Sequence, residues 1–255
     1  MRVVVKVGTS TLAHPTGRLN IRHVEQLVKV LSDLKNAGHE MILVSSGAIG
    51  MGVGKLNLSG KPSDIPTKQA AAAVGQCELM YTYDKLFSQY NHTVAQILLT
   101  GEDVDHADRR QNFENTMYRL LELNVLPVIN ENDTVATAEI KVGDNDTLGG
   151  IVACCVKADL LVLLSDIEGL YTADPRKNPD ATLISVVEEV TPEVEALAGG
   201  AGSSLGTGGM ATKLRAAKTV TAAGCDMIIA NGEHPECLYD IVDGKAVGTR
   251  FLGKK

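Results

Sequence analysis

The chain has 255 residues, of which 44% are hydrophobic, so it is long enough and apolar enough to bury a large core. Its formal net charge is -7 and only 4% of its residues are aromatic, which excludes the basic face and the stacking platform that nucleic-acid binding needs. The same charge argues against an anionic membrane surface. Five cysteines without CxxC spacing predict neither a zinc site nor a disulfide framework. Without an 18-residue apolar run or a signal-peptide pattern, we expect a cytoplasmic protein.

The first half of the chain alternates short apolar runs with amphipathic stretches. The pattern predicts strands at residues 3–7, 41–44, 93–98 and 125–130, and helices at residues 20–37, 66–89 and 107–124. Asn20 can cap the first of these helices, and Gly38 can end it. Because the apolar runs are continuous, we expect strands that are buried on both faces of a sheet.

The second half continues this alternation after a polar segment at residues 131–145, which has room for a short hairpin around 139–142. The pattern predicts a helix from Asp146 or Thr147 to Lys157, a strand at 160–164, a glycine-rich loop at 199–209, a helix at 212–223 and a strand at 227–230. We therefore expect residues 1–255 to form a single α/β domain, with a mainly parallel sheet between two layers of helices.

Polar or glycine-rich segments follow four of the predicted strands directly. They are Lys-Val-Gly-Thr-Ser at 6–10, Ser-Ser-Gly-Ala-Ile-Gly at 45–50, Asn-Glu-Asn-Asp at 130–133 and Ser-Asp at 165–166. Since ligands of such sheets bind at the carboxyl ends of the strands, these segments mark the expected site.

Lys6 interrupts a run of valines, and an ammonium group is costly to bury unless it meets negative charge. An edge strand from which the lysine reaches solvent is the alternative. The following Gly8, Thr9 and Ser10 favour a phosphate, because glycine lets an anion approach backbone N–H groups and the hydroxyls add donors.

The segment at 45–50 contains Ser46 and matches no nucleotide fingerprint, and neither GxxxxGK[ST] nor GxGxxG occurs in the chain. An ordinary strand-to-helix turn is its alternative reading.

The densest polar cluster is Gly-Asp-Asn-Asp at residues 143–146. With Asp133, the side chains of Asp144 and Asn145 offer acceptors and amide donors that suit the ammonium and carboxylate of an amino acid. Asp146 could hold lysine side chains in place, or it could simply cap the next helix.

A glycine-rich loop leads into the helix that carries Lys213 in its first turn. The helix dipole disfavours a cation at this end, so both features fit an anion bound between them. The alternative is a lysine that points into water.

With these segments, the chain resembles the amino-acid kinase family and, within it, the glutamate 5-kinases. The matching elements are residues 6–10, 45–50, 130–133, 143–146, 166–171 and 207–213. They occur in the order of the family and span most of the chain. The elements at 130–133 and 143–146 are the more specific ones.

This resemblance implies a three-layer αβα sandwich and phosphorylation of the side-chain carboxylate of L-glutamate by ATP, the first step of proline synthesis. Lys6 and Lys213 would flank the transferred phosphoryl group, and Asp146 would orient both lysines. Glutamate would be held by Ser46, Asp133, Asp144 and Asn145. The nucleotide would contact Lys6, Gly8, Ser165, Asp166, Thr207, Gly208, Gly209, Met210, Ala211, Thr212 and Lys213.

The resemblance also implies that the N-terminal part of the domain binds mainly the substrate, and that the part from about residue 160 binds mainly the nucleotide. It implies proline as a feedback inhibitor and a homodimer or homotetramer. Mg²⁺ would be held by phosphates and water, because the sequence offers no convincing all-protein metal cage.

The chain departs from the pattern of the family at two places. Ser165 stands where the family often has threonine, and the chain stops soon after residues 248–251 without the PUA domain that many members carry. A natural short form and a truncation both fit this end. Acetylglutamate, aspartate and uridylate kinases of the same family, and a non-catalytic amino-acid sensor, stay open as alternative functions.

Overall fold

The protein is described here by a computed structural model that covers residues 1–14, 16, 18–60, 62–136, 144–199 and 209–254. The strands in this part of the chain are β1 Arg2–Val7, β2 Glu40–Ser45, β3 Val94–Leu99, β4 Leu126–Glu131, β5 Leu160–Ser165, β6 Val186–Val187, β7 Asp226–Asn231 and β8 Thr249–Phe251. The α-helices are α1 Thr9–Leu12, α2 Ile21–Asn36, α3 Ala48–Lys55, α4 Ile65–Ser88, α5 Gly101–Asp105, α6 Ala107–Glu122, α7 Asn145–Cys155, α8 Pro192–Ala196, α9 Met210–Ala222 and α10 Cys237–Val242.

All these strands join one sheet in the order β3-β4-β2-β1-β5-β7-β8-β6. Every neighbouring pair is parallel except β7 and β8, which are antiparallel. The expected mainly parallel sheet is thus confirmed. The four strands that end in polar segments, β4, β2, β1 and β5, are consecutive in this order, so their carboxyl ends lie side by side.

Helices cover both faces of the sheet. Val4 of β1 packs in a buried cluster with residues of α6, α7 and α9, whereas Val3 and Val5 pack on the opposite face with residues of α2, α4 and α10. Successive side chains of a strand point to opposite faces, so a strand between two helical layers must be apolar throughout. The three-layer αβα architecture is confirmed. No helix in the described residues is long and apolar enough to cross a membrane.

The long elements lie where the sequence pattern predicts them, within two residues at nearly every boundary. Asn20 caps α2, since its side chain accepts a hydrogen bond from the His23 backbone N–H at 3.3 Å. The sequence analysis missed the short elements α1, α3, α5, β6, α8, α10 and β8. A periodic pattern needs more residues than these elements contain. The predicted hairpin at 139–142 and most of the loop at 199–209 lie outside the described residues.

The closest helix contact joins α3 to α4 and depends on two glycines. A Cβ atom placed on Gly75 would lie 1.8 Å from the carbonyl oxygen of Ala48, and one on Gly52 would lie 1.8 Å from that of Ala71. Both obstacles are backbone atoms, which cannot rotate away as a side chain can. Since α3 begins two residues after Ser46, this contact fixes the position of the loop between β2 and α3.

We predict that Gly75→Ala destabilises the protein by at least about 1–3 kcal/mol, because it overpacks the α3–α4 contact. In an ordinary helix interior the same change stabilises by about 0.5–1 kcal/mol. Gly150→Ala in α7 is the matched control, since its new methyl group would meet nothing closer than 3.5 Å. Urea unfolding measures both changes, and equal stability of the two variants would contradict the predicted overpacking.

Candidate active site

Two lysines and one aspartate form an ion-pair cluster at the carboxyl end of β1. Lys6 Nζ lies 2.6 Å from Asp146 Oδ1, and Lys213 Nζ donates to Asp146 Oδ2 at 2.9 Å. Asp146 is fully buried, and the two lysines are only 8% and 5% exposed. The cluster joins β1, α7 and α9, which are distant in sequence and meet only in the folded chain.

The position of these side chains decides between the alternatives that the sequence left open for Lys6 and for Lys213. β1 lies between β2 and β5, so Lys6 is in a central strand and the edge-strand alternative is wrong. Lys213 is buried against Asp146, so the alternative of a lysine pointing into water is wrong as well.

Asp146 is the negative charge that makes this burial possible. Burial alone raises the pKa of its carboxyl group, but the charges and hydrogen bonds of Lys6 and Lys213 outweigh burial and hold the pKa below its usual value. The group is therefore ionised at neutral pH, and its one formal negative charge stands against the formal positive charges of two lysines. A site with this charge attracts an anion.

The N-terminus of α9 faces the same cluster. Gly209 precedes the helix and provides no side-chain cap, and a Cβ atom on it would meet nothing within 4 Å. Thr212 Oγ1 lies 3.1 Å from Asp146 Oδ2 and 2.7 Å from the Gly209 carbonyl oxygen. The first N–H groups of this 13-residue helix have no side-chain cap and lie in the same turn as Lys213, an arrangement that suits an anion.

Gly8 borders the cluster from the other side. A Cβ atom on it would lie 3.7 Å from Lys6 Nζ and 3.7 Å from Ser10 Oγ. A side chain at this position would take up the space in front of the lysine ammonium, and glycine keeps that space open.

Asp144, and not Asp146, caps helix α7. Asp144 Oδ1 accepts hydrogen bonds from the backbone N–H groups of Asp146 at 2.8 Å and Thr147 at 2.9 Å, and Oδ2 lies 3.3 Å from Thr147 Oγ1. The helix starts at Asn145, one residue before the predicted start. The capping alternative for Asp146 is wrong, and its carboxylate is left to the two lysines.

A chain of amide hydrogen bonds runs from the edge strand β3 to the loop between β2 and α3. Asn145 Nδ2 donates to Ser46 Oγ at 2.7 Å and to Asn130 Oδ1 at 3.2 Å. Asn130 Nδ2 donates to Gln76 Oε1 at 2.9 Å, and Gln76 Nε2 donates to Gln96 Oε1 at 3.0 Å. The structure thus brings Ser46 and Asn145 into contact, and it adds three residues that the sequence analysis did not assign.

The sequence marks the three unassigned residues to different degrees. Asn130 lies within the Asn-Glu-Asn-Asp element but received no role. Gln76 lies three residues before Leu79 and seven before Tyr83, so helical spacing places a polar group on the buried stripe of α4. Nothing in the sequence of β3 singles out Gln96.

Asp133 lies in a turn directly after β4. The backbone N–H of Asn132 donates to the Leu99 carbonyl at 2.7 Å, and the N–H of Ala136 donates to the Asn132 carbonyl at 3.0 Å. Asp133 is half-buried there, three residues beyond the Asn130 side chain that contacts Asn145.

The remaining predicted nucleotide residues lie at the ends of β5 and α9. Ser165 is buried and its hydroxyl donates to Asp166 Oδ1 at 3.2 Å, while Asp166 is exposed. Met210 and Ala211 form the first turn of α9. Thr207 and Gly208 lie outside the described residues.

The described residues contain no group of three or more His, Cys, Asp or Glu side chains that could hold a metal ion. A divalent cation at this site would therefore need most of its ligands from a bound substrate and from water.

Comparison with known proteins places this site in a family. The profile of the amino acid kinase family matches residues 1–231. The chain belongs to the amino acid kinase family. Among its relatives, the chain is 59% identical over 249 residues to the glutamate 5-kinase of Clostridium tetani, covering 98% of this chain and 93% of that protein. It is 53% identical to the glutamate 5-kinase of Clostridium perfringens, covering 100% of this chain and 96% of that protein.

Solved structures of two more distant kinases share the fold. Isopentenyl phosphate kinase from T. acidophilum superimposes with a TM-score of 0.66 at 17% identity, covering 98% of this chain and 100% of that one. Carbamate kinase from Giardia lamblia, bound to AMP-PNP, gives a TM-score of 0.70 at 17% identity, covering 98% of both chains. The expected amino-acid kinase-like fold is confirmed.

We predict that Asp146→Asn destabilises the protein at neutral pH by about 3–5 kcal/mol, because it leaves two buried lysine charges without a counter-ion. The lowered pKa of Asp146 means that its contribution is complete above the unfolded-state pKa of about 4 and is lost as the pH falls through the lower folded-state pKa.

Urea unfolding of both proteins at a series of pH values checks this expectation. The stability difference between wild type and Asp146→Asn should shrink below about pH 4. A difference that is independent of pH, or that grows in acid, would show that the carboxylate charge is not what stabilises the cluster.

Proposed function

We propose that the chain transfers the γ-phosphoryl group of ATP to the side-chain carboxylate of L-glutamate, forming L-glutamyl 5-phosphate and ADP in the first step of proline biosynthesis. The observation that carries this proposal is the buried Lys6–Asp146–Lys213 cluster, together with the hydrogen bond from Asn145, the residue before Asp146, to Ser46. The relatives named glutamate 5-kinase support it. As a member of the amino acid kinase family, the chain is an ATP-using phosphotransferase.

The nucleotide occupies the half of the site around β1, β5 and α9. The γ-phosphoryl group lies between the ammonium groups of Lys6 and Lys213, over the open backbone of Gly8. The N–H groups of Met210 and Ala211 add donors at the N-terminus of α9, where Thr212 lies beside Asp146. Thr207, Gly208 and Gly209, which precede this helix in the sequence, complete the proposed nucleotide-binding residues. Ser165 and Asp166 contact the nucleotide from the end of β5.

Glutamate occupies the half of the site around β2, β4 and the start of α7. Ser46 and Asn145 contact each other and present hydroxyl and amide groups, and Asp133 supplies a carboxylate for the substrate ammonium group. Asp144 supports this half by fixing the start of α7, since its carboxylate caps the helix. Residues up to about 160 thus bind mainly substrate, and those beyond bind mainly nucleotide, within one domain.

The chemistry needs no general base. The glutamate side-chain carboxylate is ionised at neutral pH, so it attacks phosphorus as it stands. A bond forms between a carboxylate oxygen and the γ-phosphorus, the bond from that phosphorus to the leaving ADP oxygen breaks, and no proton is gained or lost. Two anions must approach each other, and the lysine charges offset their repulsion and the charge on the equatorial oxygens.

Magnesium fits this site as a partner of the nucleotide. When bound with ATP it neutralises phosphate charge, and phosphates and water supply most of its ligands, since the described residues provide no metal cage. Lys6 and Lys213 are the cations that the described residues contribute to this cluster.

The proposal is tested by measuring ADP production with L-glutamate, N-acetylglutamate, aspartate and UMP as separate acceptors. We expect turnover that depends on glutamate and a product that hydroxylamine traps. Equal or faster turnover with another acceptor would assign the chain to a different activity of the family, and no turnover with any acceptor would favour the non-catalytic sensor.

In the same assay, Lys213→Met should lower kcat by about 10²–10³, the typical loss for one preorganised transition-state contact. Lys218→Met is the matched control, because Lys218 lies on the same helix and is exposed, with only the exposed Glu195 as its ion-pair partner. A similar kcat in the two variants would show that Lys213 does not take part in the reaction.

We predict that Asp133→Ala raises the KM for glutamate by about tenfold or more and changes the KM for ATP by less than about threefold. An aspartate can bind the substrate ammonium group, whereas a phosphate gains nothing from it, and a lost charged contact costs about 1.5–3 kcal/mol. Steady-state kinetics with each substrate varied separately measures both constants. A selective rise in the KM for ATP would reverse the assignment of the two halves.

We also propose that free proline inhibits by competing with glutamate. Proline carries the same α-carboxylate and a cationic nitrogen, so it can use the groups around Ser46, Asp133 and Asn145, but it has no side-chain carboxylate to phosphorylate. Rates at several concentrations of both amino acids should show competition. Unchanged rates at proline concentrations well above the glutamate KM would contradict the overlap of the two sites.

A homodimer or homotetramer stays a prediction, which light scattering checks.

A further inference from the structure

The amide hydrogen-bond chain from Gln96 to Asn145 has a single direction. Gln76 Nε2 donates to Gln96 Oε1, Asn130 Nδ2 donates to Gln76 Oε1, and Asn145 Nδ2 donates to Asn130 Oδ1. We call these four residues the amide chain. At each step the acceptor oxygen of one amide meets the NH₂ group of the next.

The direction of the amide chain is fixed at Asn130. Its Oδ1 accepts from the backbone N–H of Glu131 at 2.9 Å as well as from Asn145 Nδ2, and its Nδ2 donates to Gln76 Oε1. A reversed Asn130 amide would set its NH₂ group against a backbone N–H and another NH₂ group. Asn130 is 1% exposed and Gln76 is 7% exposed, so water cannot easily replace a lost partner.

The side-chain carbonyl oxygen of Asn145 takes no part in the amide chain. Its Nδ2 has two acceptors, Ser46 Oγ and Asn130 Oδ1, whereas its Oδ1 is buried and has no hydrogen-bond partner in the structure as described. A buried carbonyl oxygen without a donor is costly, and such an exception calls for a ligand or another explanation. Oδ1 is an acceptor, and a glutamate bound beside Ser46 carries one strong donor, its α-ammonium group.

We propose that Gln76 is a positioning residue for substrate recognition. By accepting from the buried Nδ2 of Asn130, it holds the Asn130 side chain in place, and with it the Asn145 amide, so that Asn145 Oδ1 faces the α-ammonium group of glutamate. The discrimination between a free amino group and an acylated one then depends on a glutamine in α4 that does not touch the substrate. This inference rests on the proposed function, because it takes glutamate as the occupant of the site.

The test compares Gln76→Met with Gln76→Glu. Methionine has nearly the same length and cannot accept from Asn130, so we expect the KM for glutamate to rise about tenfold while kcat and the KM for ATP change less than about threefold. Glutamate keeps the acceptor, and the exposed Gln96 can turn its amide to donate to it, so Gln76→Glu should stay within about threefold of wild type in the KM for glutamate. Equal losses in the two variants, or an unchanged KM in Gln76→Met, would overturn the proposal.

A double-mutant cycle with Asn145→Ala separates positioning from general damage. If Gln76 acts through the Asn145 amide, Gln76→Met should add less than about twofold to the glutamate KM of Asn145→Ala, since the group that it orients is gone. If the two substitutions instead multiply each other's effect on the KM for glutamate, Gln76 does not act through the Asn145 amide, and the proposal is overturned. So would an Asn145→Ala variant with a normal KM for glutamate.

Two further measurements keep the outcome interpretable. If Gln76→Met does not fold, Gln96→Met takes its place, because Gln96 is exposed. A rise of about fivefold or more in the KM for glutamate is then expected, and a change of less than about threefold overturns the proposal. Turnover of glutamate by the wild type is measured first. Its absence would refute the proposed function itself, whereas normal wild-type turnover with an insensitive Gln76 would refute only the role of Gln76.

Discussion

The burial of one carboxylate between two lysines is the interaction on which the rest of the site depends. Two ammonium groups held beside each other repel, and each loses hydration as it is buried, so neither can stay charged in the interior without an anion. Asp146 supplies that anion at 2.6 and 2.9 Å. It contributes one formal negative charge against the two formal positive charges of the lysines.

The fold satisfies this constraint by bringing three elements together at one point. Lys6 comes from the central strand β1, Asp146 from the first turn of α7 and Lys213 from the first turn of α9. Helix α7 lies close to both partners because small residues face them: a Cβ atom on Gly149 would lie 3.5 Å from Lys6 Cβ, and one on Gly150 would lie 3.5 Å from Ala216 Cβ. Asp144 caps α7 and so leaves Asp146 free to face the lysines.

Most of this arrangement could be predicted from the sequence, because its signals are local. Continuous apolar runs define central strands, and a lysine within such a run indicates a buried counter-charge. The amide chain could not be predicted, because Gln76, Gln96, Asn130 and Asn145 meet only through the register of β3 against β4 and the packing of α4 upon them. The start of α7 was misplaced by one residue for a similar reason: three acidic or amide side chains in a row can each cap a helix, and the choice depends on which of them the lysines engage.

Under the proposed function, the two halves of the site recognise their ligands by different physical means. Around Lys6 and Lys213, net charge attracts a phosphate and lowers the cost of bringing a second anion towards it. Around Asn145, neutral amides give direction rather than charge, which suits an amino acid that carries both signs. A strong positive field there would bind the α-carboxylate but repel the adjacent ammonium group. A hydrogen-bond chain of neutral groups can instead offer an acceptor at one point and a hydroxyl at another. The specificity of such a chain depends on how its amide groups are oriented. For this reason the buried Gln76, which does not touch the substrate, can affect recognition.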